Sequence, residues 1–291
     1  MLDLSHIPSQ KQQTYTLYSL GAGVWQTWQK PRNAKFIEIF CLGGGAGGAI
    51  SVVAAGAANG GRGGGSAGIV RGLIPAFLLP DTLYILVGKG GVGSTGNATN
   101  GNPGGISYIG LQPSTSEQTL ICKSSTSTAS GNGDGATISV VALSAFGNLG
   151  LFTAIAGVAG SAGGATTPTQ GGSQAALATN ITTGGAGGGG KTAGAFSAGG
   201  NITSASVVLT SQVNGGVTDA QDGDSGYGTL IPFCGTGGAG GAGRQGATGA
   251  GGRGGNGFYG CGGGGVGGGQ TATGTKGGDG GDGLVIITVI T

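Results

Sequence analysis

Three aspartates crowd one short run, Asp219-Ala220-Gln221-Asp222-Gly223-Asp224, and carboxylates on a tight loop are what a hard cation such as calcium requires. The loop length and closing glutamate of an EF-hand are missing, so the expectation is a solvated acidic turn. A second run, Val87-Gly88-Lys89-Gly90-Gly91-Val92-Gly93-Ser94-Thr95, has the outline of a phosphate-cradling loop. That chemistry needs a lysine just before the Ser or Thr and a helix N-terminus to hold the anion. Gly93 stands at that place, and Gly96-Asn97-Ala98-Thr99-Asn100-Gly101-Asn102-Pro103 behind it cannot be helical. Nucleophilic catalysis lacks its parts: His6 is the single histidine, and no carboxylates are paired for acid and base roles. The expectation is a protein that is not an enzyme and carries no cofactor and no metal.

Four cysteines, Cys41, Cys122, Cys234 and Cys261, lie far apart with no C-x-x-C spacing, which reads as buried free thiols, with one or two disulfides as the alternative. Asp279 and Asp282 keep a three-residue spacing among glycines, so both should project from one face and be able to cap backbone N–H groups. The sequons at Asn97, Asn180 and Asn201 are short enough to be chance matches. Aromatic side chains are scarce. Trp25 and Trp28 should pack a core, whereas Phe196, Tyr227, Phe233, Phe258 and Tyr259 lie in or beside stretches between glycine runs. They are candidate receptor-contact groups, since aromatics at loop tips stack on sugars and anchor protein interfaces; plugging the ends of the scaffold is the alternative role.

The elements that must hold these residues follow from the glycines, 76 of 291 residues. From Gly237 to Gly255 every third position is glycine, the polyproline-II period. Collagen also needs abundant proline, and this run has none. Disorder needs high charge, yet only 8 % of the chain is charged and 37 % is hydrophobic. Packed polyglycine-II helices remain. They make no internal hydrogen bonds, so buried N–H and C=O groups must pair between helices, and glycine lets the backbones approach. Arg244, Gln245 and Arg253 should point outward.

Alternating apolar residues predict strands within 14–42, including Phe36, Glu38 and Phe40 on one face with Ile37, Ile39 and Cys41 on the other. Further strands are expected at 67–73, 81–87 and 284–290, with 106–111 and 118–123 as a hairpin pair. The predicted fold is mainly β: a β-sandwich of N- and C-terminal strands with an inserted bundle of polyglycine-II helices and little or no α-helix. An arm at 1–13 precedes a single domain at 14–291, with a strand-rich layer at about 14–42, 66–87, 106–123 and 284–291. The glycine-helix layer falls at about 43–65, 88–105 and 184–283. Polar low-complexity stretches at 94–103, 124–134, 166–183 and 201–227 are expected to be the turns. The uncharged segment 136–160 is read as core strand or helix rather than a membrane span. No signal peptide is expected, and with a net charge of +2 and scattered basic residues neither is a nucleic-acid partner.

Several of these runs carry a resemblance: Gly23-Val24-Trp25-Gln26-Thr27-Trp28 with Lys30-Pro31, Ala34-Lys35-Phe36-Ile37-Glu38-Ile39 entering Gly43, Leu79-Pro80-Asp81-Thr82-Leu83-Tyr84-Ile85-Leu86-Val87-Gly88, and Gly280-Gly281-Asp282-Gly283-Leu284-Val285-Ile286-Ile287. Over about 14–291 the chain resembles the glycine-rich domain of bacteriophage tail-fibre and other virion proteins, and is similar to polyglycine-II phage adhesins. The resemblance implies a location on the virion and loops, here within 94–134 and 166–227, that recognise a host surface glycan or outer-membrane protein. It also implies a homo-oligomer, by analogy a trimer, or assembly with other virion fibre proteins. Those adhesins carry a separate fibre-attachment domain, which Met1 to Gln13 do not supply. A purely structural virion or filament component is the competing expectation.

Overall fold

The computed structural model describes residues 12–127, 151–167, 169–176, 182–204, 211–228 and 235–291. Two antiparallel sheets face each other. One has the order β1 (Gln12–Tyr18), β11 (Leu284–Ile290), β3 (Phe36–Leu42), β4 (Ile69–Pro75), β8 (Leu151–Ile155). The other runs β2 (Trp25–Gln29), β5 (Thr82–Leu86), β6 (Tyr108–Gly110), β7 (Leu120–Lys123). The last strand therefore sits between β1 and β3, and the sheet is complete only when the chain's final residues are in place.

Alternation along β3 decides what is buried. Ile37, Ile39 and Cys41 point into the core with Trp28, Ile74, Leu83, Ile85, Ile109, Ile121, Val285 and Ile287, while Phe36 and Glu38 are exposed. Trp28 packs edge-on against Tyr15; Trp25 is only half-buried, beside the Tyr108 ring. At the end of β3 nearest the glycine layer the outer face is covered too. Phe40, Leu42, Ile69, Leu284 and Ile286 form a second cluster against which Tyr259 packs. The predicted hairpin pair is β6 and β7, joined in antiparallel register.

The remaining described residues form mainly helices of three residues per turn that hydrogen-bond sideways, as the glycine period predicts. Segment 43–50 shows the pattern. Gly44 and Gly47 donate to Gly105 and Asn102, Gly45 and Gly48 to Gly281 and Gly278, and Ala46 and Ala49 to Gly65 and Arg62. Each of its faces meets a different neighbour. Helices run in both senses: Gly185 and Gly188 donate to Gly64 and Gly61, antiparallel, while Ala186 and Gly189 donate to Gly238 and Gly241, parallel. Directionality does not matter here, because the carbonyls and amides radiate around each helix.

The structure refines one expectation and corrects another. The triplet run 237–257 is two helices: the chain reverses through Gly246 and Gly249, which have φ of +94° and +99°, and then Gly252 and Gly255 donate back to Ala242 and Ala239. The polar stretches are also not all turns. Asn102, Gly223 and Gly226 pair within the bundle, as Asn102 N–H→Val92, Gly223 N–H→Arg253 and Gly226 N–H→Asn256 carbonyl bonds. At the rim only the inward face needs glycine, so polar side chains fit on the outer one. Within 166–183 and 201–227, β9 (Gln174–Ala176) and β10 (Ile202–Ser204) form a short parallel pair. Of segment 136–160, residues 136–150 lie outside the described residues, and 151–155 form the edge strand β8. No helix among the described residues is long and apolar enough to cross a membrane.

Candidate functional site

The acidic residues bind backbone. At the rim of the bundle a helix has no neighbour on its outer side, and side-chain oxygens on adjacent helices take the orphaned amides. Asp222 accepts from the Arg253 amide, Ser225 from Asn256, Asn256 from Asp279, Asp279 from Gly93 and Asp282 from Gly90. The three-residue spacing of Asp279 and Asp282 thus matches that of Gly93 and Gly90 on the antiparallel partner. Asp219 likewise accepts from the Gln245 amide. Among the described residues no group of three or more potential ligands gathers around a metal position. The Gly88–Thr95 run is occupied in the same way, with Lys89 ion-paired to Asp282 at 3.1 Å and the Gly90 amide 2.7 Å from the same carboxylate.

A stability test follows. Asp282→Ala leaves the Gly90 amide without an acceptor and should cost about 1–3 kcal/mol in chemical denaturation. Asp282→Asn keeps that oxygen and loses only an exposed ion pair, so it should cost at most about 1 kcal/mol. Equal losses for both variants would mean that the ion pair, not the amide cap, matters.

The helices leave β3, β5 and β8 and return to β4, β6 and β11, reversing both beside the strands, as at 258–260, and at the end away from them. The far-end reversals among the described residues are 51–59, 95–100, 165–167 with 169, 191–196, 217–221, 244–250 and 269–275. They are cross-tied: the Val53 amide donates to Asn97 Oδ1, and the buried Lys191 side chain reaches the Gly246 carbonyl at 3.0 Å. Desolvation lowers the Lys191 pKa below the usual lysine value. Ala98 and Ala220 hold positive φ, +54° and +55°, within two of these turns. Alanine adopts that region only at a cost, and such strain gathers where function fixes a loop.

Segments 49–52, 59–62, 98–100 and 162–165 enclose a cleft of about 380 Å³ at this end. Small glycine and alanine residues make up most of its lining, and Ser51, Asn59, Asn100 and Arg62 supply its polar side chains. Val52 and Val217 stand exposed on the reversals, at 59 % and 63 %. Neither had a sequence signal, since a single valine in a polar stretch marks nothing until the chain is seen to turn there.

The four aromatic candidates among the described residues do not form one site. Phe258 and Tyr259 contact each other in a turn beside the sandwich, where Gly260 has φ +66° and Tyr259 also neighbours Tyr18. Tyr227 is half-buried, its hydroxyl bonded to Ser211 and its ring against Ala186, Ile202, Val213 and Ala239. Phe196 is half-buried in the far-end turn that bridges to Lys191. Phe233 lies outside the described residues.

The fold and this end of it define a class, a β-sandwich bearing a hydrogen-bonded glycine-helix bundle with a set of turns at the end away from the strands. Over residues 20–289 the chain matches the family of glycine-rich domains, and it belongs to that family. No curated protein matches it.

Proposed function

We propose that this protein is a non-enzymatic receptor-binding protein of a bacteriophage particle, a fibre or tip adhesin whose far-end turns contact a host surface glycan or outer-membrane protein. The observation that carries this reading is the set of cross-tied turns at the end away from the strands, on a bundle whose interior is tied by backbone hydrogen bonds. Recognition residues sit characteristically on loops held by a rigid scaffold, and the cleft beside Arg62 and Asn100 offers a polar, side-chain-lined recess there. The particle surface is the corresponding location, and a homo-oligomer or other fibre proteins are the expected assembly partners.

The test is binding to outer-membrane fractions from a panel of bacteria. Replacing 95–100 and 165–169 by Gly-Ser segments of equal length should lower binding to the recognised host at least about tenfold, equivalent to 1.4 kcal/mol, with Tm unchanged. Binding unaffected by these replacements and by similar ones at 217–221 and 244–250 would defeat the proposal.

A purely structural virion role is favoured by one observation, that the four described aromatic candidates are half-buried rather than displayed. In that case particles lacking the protein lose integrity, and the turn replacements change nothing.

A further inference from the structure

We propose that Cys41 and Cys122 are a disulfide-forming pair that, once joined, ties the two sheets of the sandwich together. Cys41 lies on β3 in one sheet and Cys122 on β7 in the other, both buried in the shared core. The strand ends converge at Ser107. Its carbonyl accepts from the Cys41 thiol at 3.5 Å and from the Ser124 amide at 2.9 Å, and its hydroxyl donates to the Leu42 carbonyl at 2.6 Å. Two residues beyond each cysteine the chains touch: a Cβ on Gly43 would lie 2.7 Å from Ser124 Oγ. Both thiols are free and buried in the same core. Cys261 stands elsewhere, in the bundle, with its sulfur near Gly235.

Sequence distance makes this pair easy to overlook. It also makes the link effective, because closing a long loop restricts the unfolded chain most. The oxidant is a low-molecular-weight disulfide such as oxidised glutathione. One cysteine thiolate attacks it, breaking its S–S bond and releasing one glutathione thiolate. The other cysteine thiolate then attacks the protein sulfur of the mixed disulfide and releases the second. The pair loses two protons and two electrons, and the glutathione disulfide is reduced to two thiols.

In the closed sandwich this exchange is suppressed. The hydrogen bond with Cys41 and burial push the Cys122 thiol pKa well above its usual value, and the nucleophile is the thiolate. The link therefore forms during folding, while the sandwich is still open, and is then shielded.

The experiment is refolding of the full chain in a glutathione redox buffer, followed by blocking of free thiols and peptide mapping without reduction. A linked Cys41–Cys122 peptide is expected, with a Tm roughly 10 °C above that of the reduced protein. The difference should vanish in a Cys41→Ala/Cys122→Ala variant. Recovery of both cysteines as blocked thiols, or of Cys122 joined to another cysteine, would overturn the proposal. Mapping of the unaltered chain decides the matter even if the double variant fails to fold.

Discussion

Gly264→Ala should abolish folding or cost about 4 kcal/mol or more, beyond the usual range for overpacking. A Cβ there would lie 1.9 Å from the Ala239 carbonyl oxygen and 2.6 Å from its carbon. Both are backbone atoms, so no side chain can rotate away. Separating the helices does not relieve the clash cheaply either. In this segment Gly263, Gly264, Gly265 and Gly268 donate to Ala46, Gly255, Ala186 and Gly189 on different neighbours. Moving it would strand several buried amides at once. The control is Gly56→Ala, where an added Cβ meets nothing within 4 Å and φ is not in the left-handed region. That change should be neutral or stabilising by under about 1 kcal/mol, through the entropy of the unfolded chain. Urea denaturation of both variants measures the contrast. A Gly264→Ala protein within about 1 kcal/mol of wild type would show that the helices are not packed backbone to backbone.

Amide exchange should be correspondingly uneven along the triplet run. Gly241 and Gly255, bonded to Gly265 and Ala239 at 3.0 and 2.9 Å, should exchange only on global opening, at least about 10³-fold slower than an unstructured peptide if stability reaches the ordinary 5 kcal/mol or more. The reversal through Gly246 and Gly249 should exchange orders of magnitude faster than its flanks. Hydrogen–deuterium exchange with overlapping peptides reads both. A uniformly fast profile over 237–257 would mean that the glycine layer is not ordered, and a uniformly slow one that the run does not turn.

Composition and period were enough to infer the material of this protein. Alternation in Phe36–Leu42 and in the terminal apolar strand marks β-structure, and triplet glycine with low charge and no proline marks packed extended helices, because each signal is local and tied to the geometry of one element. The spacing of Asp279 and Asp282 even announced their role as amide caps, since it repeats the helix period.

Only the tertiary structure decided where the chain turns and what meets what. The triplet period runs straight through Gly246 and Gly249, because glycine satisfies a left-handed turn and a packed helix equally well. Polar stretches such as 222–226 enter the bundle because a rim helix needs glycine on its inner face alone. The convergence of the Cys41 and Cys122 strands at Ser107, the placement of β11 between β1 and β3, and the turns beside the Arg62 cleft join residues far apart in the chain. Such pairings are set by hydrogen bonds and packing among whole elements, and no local pattern in the sequence records them.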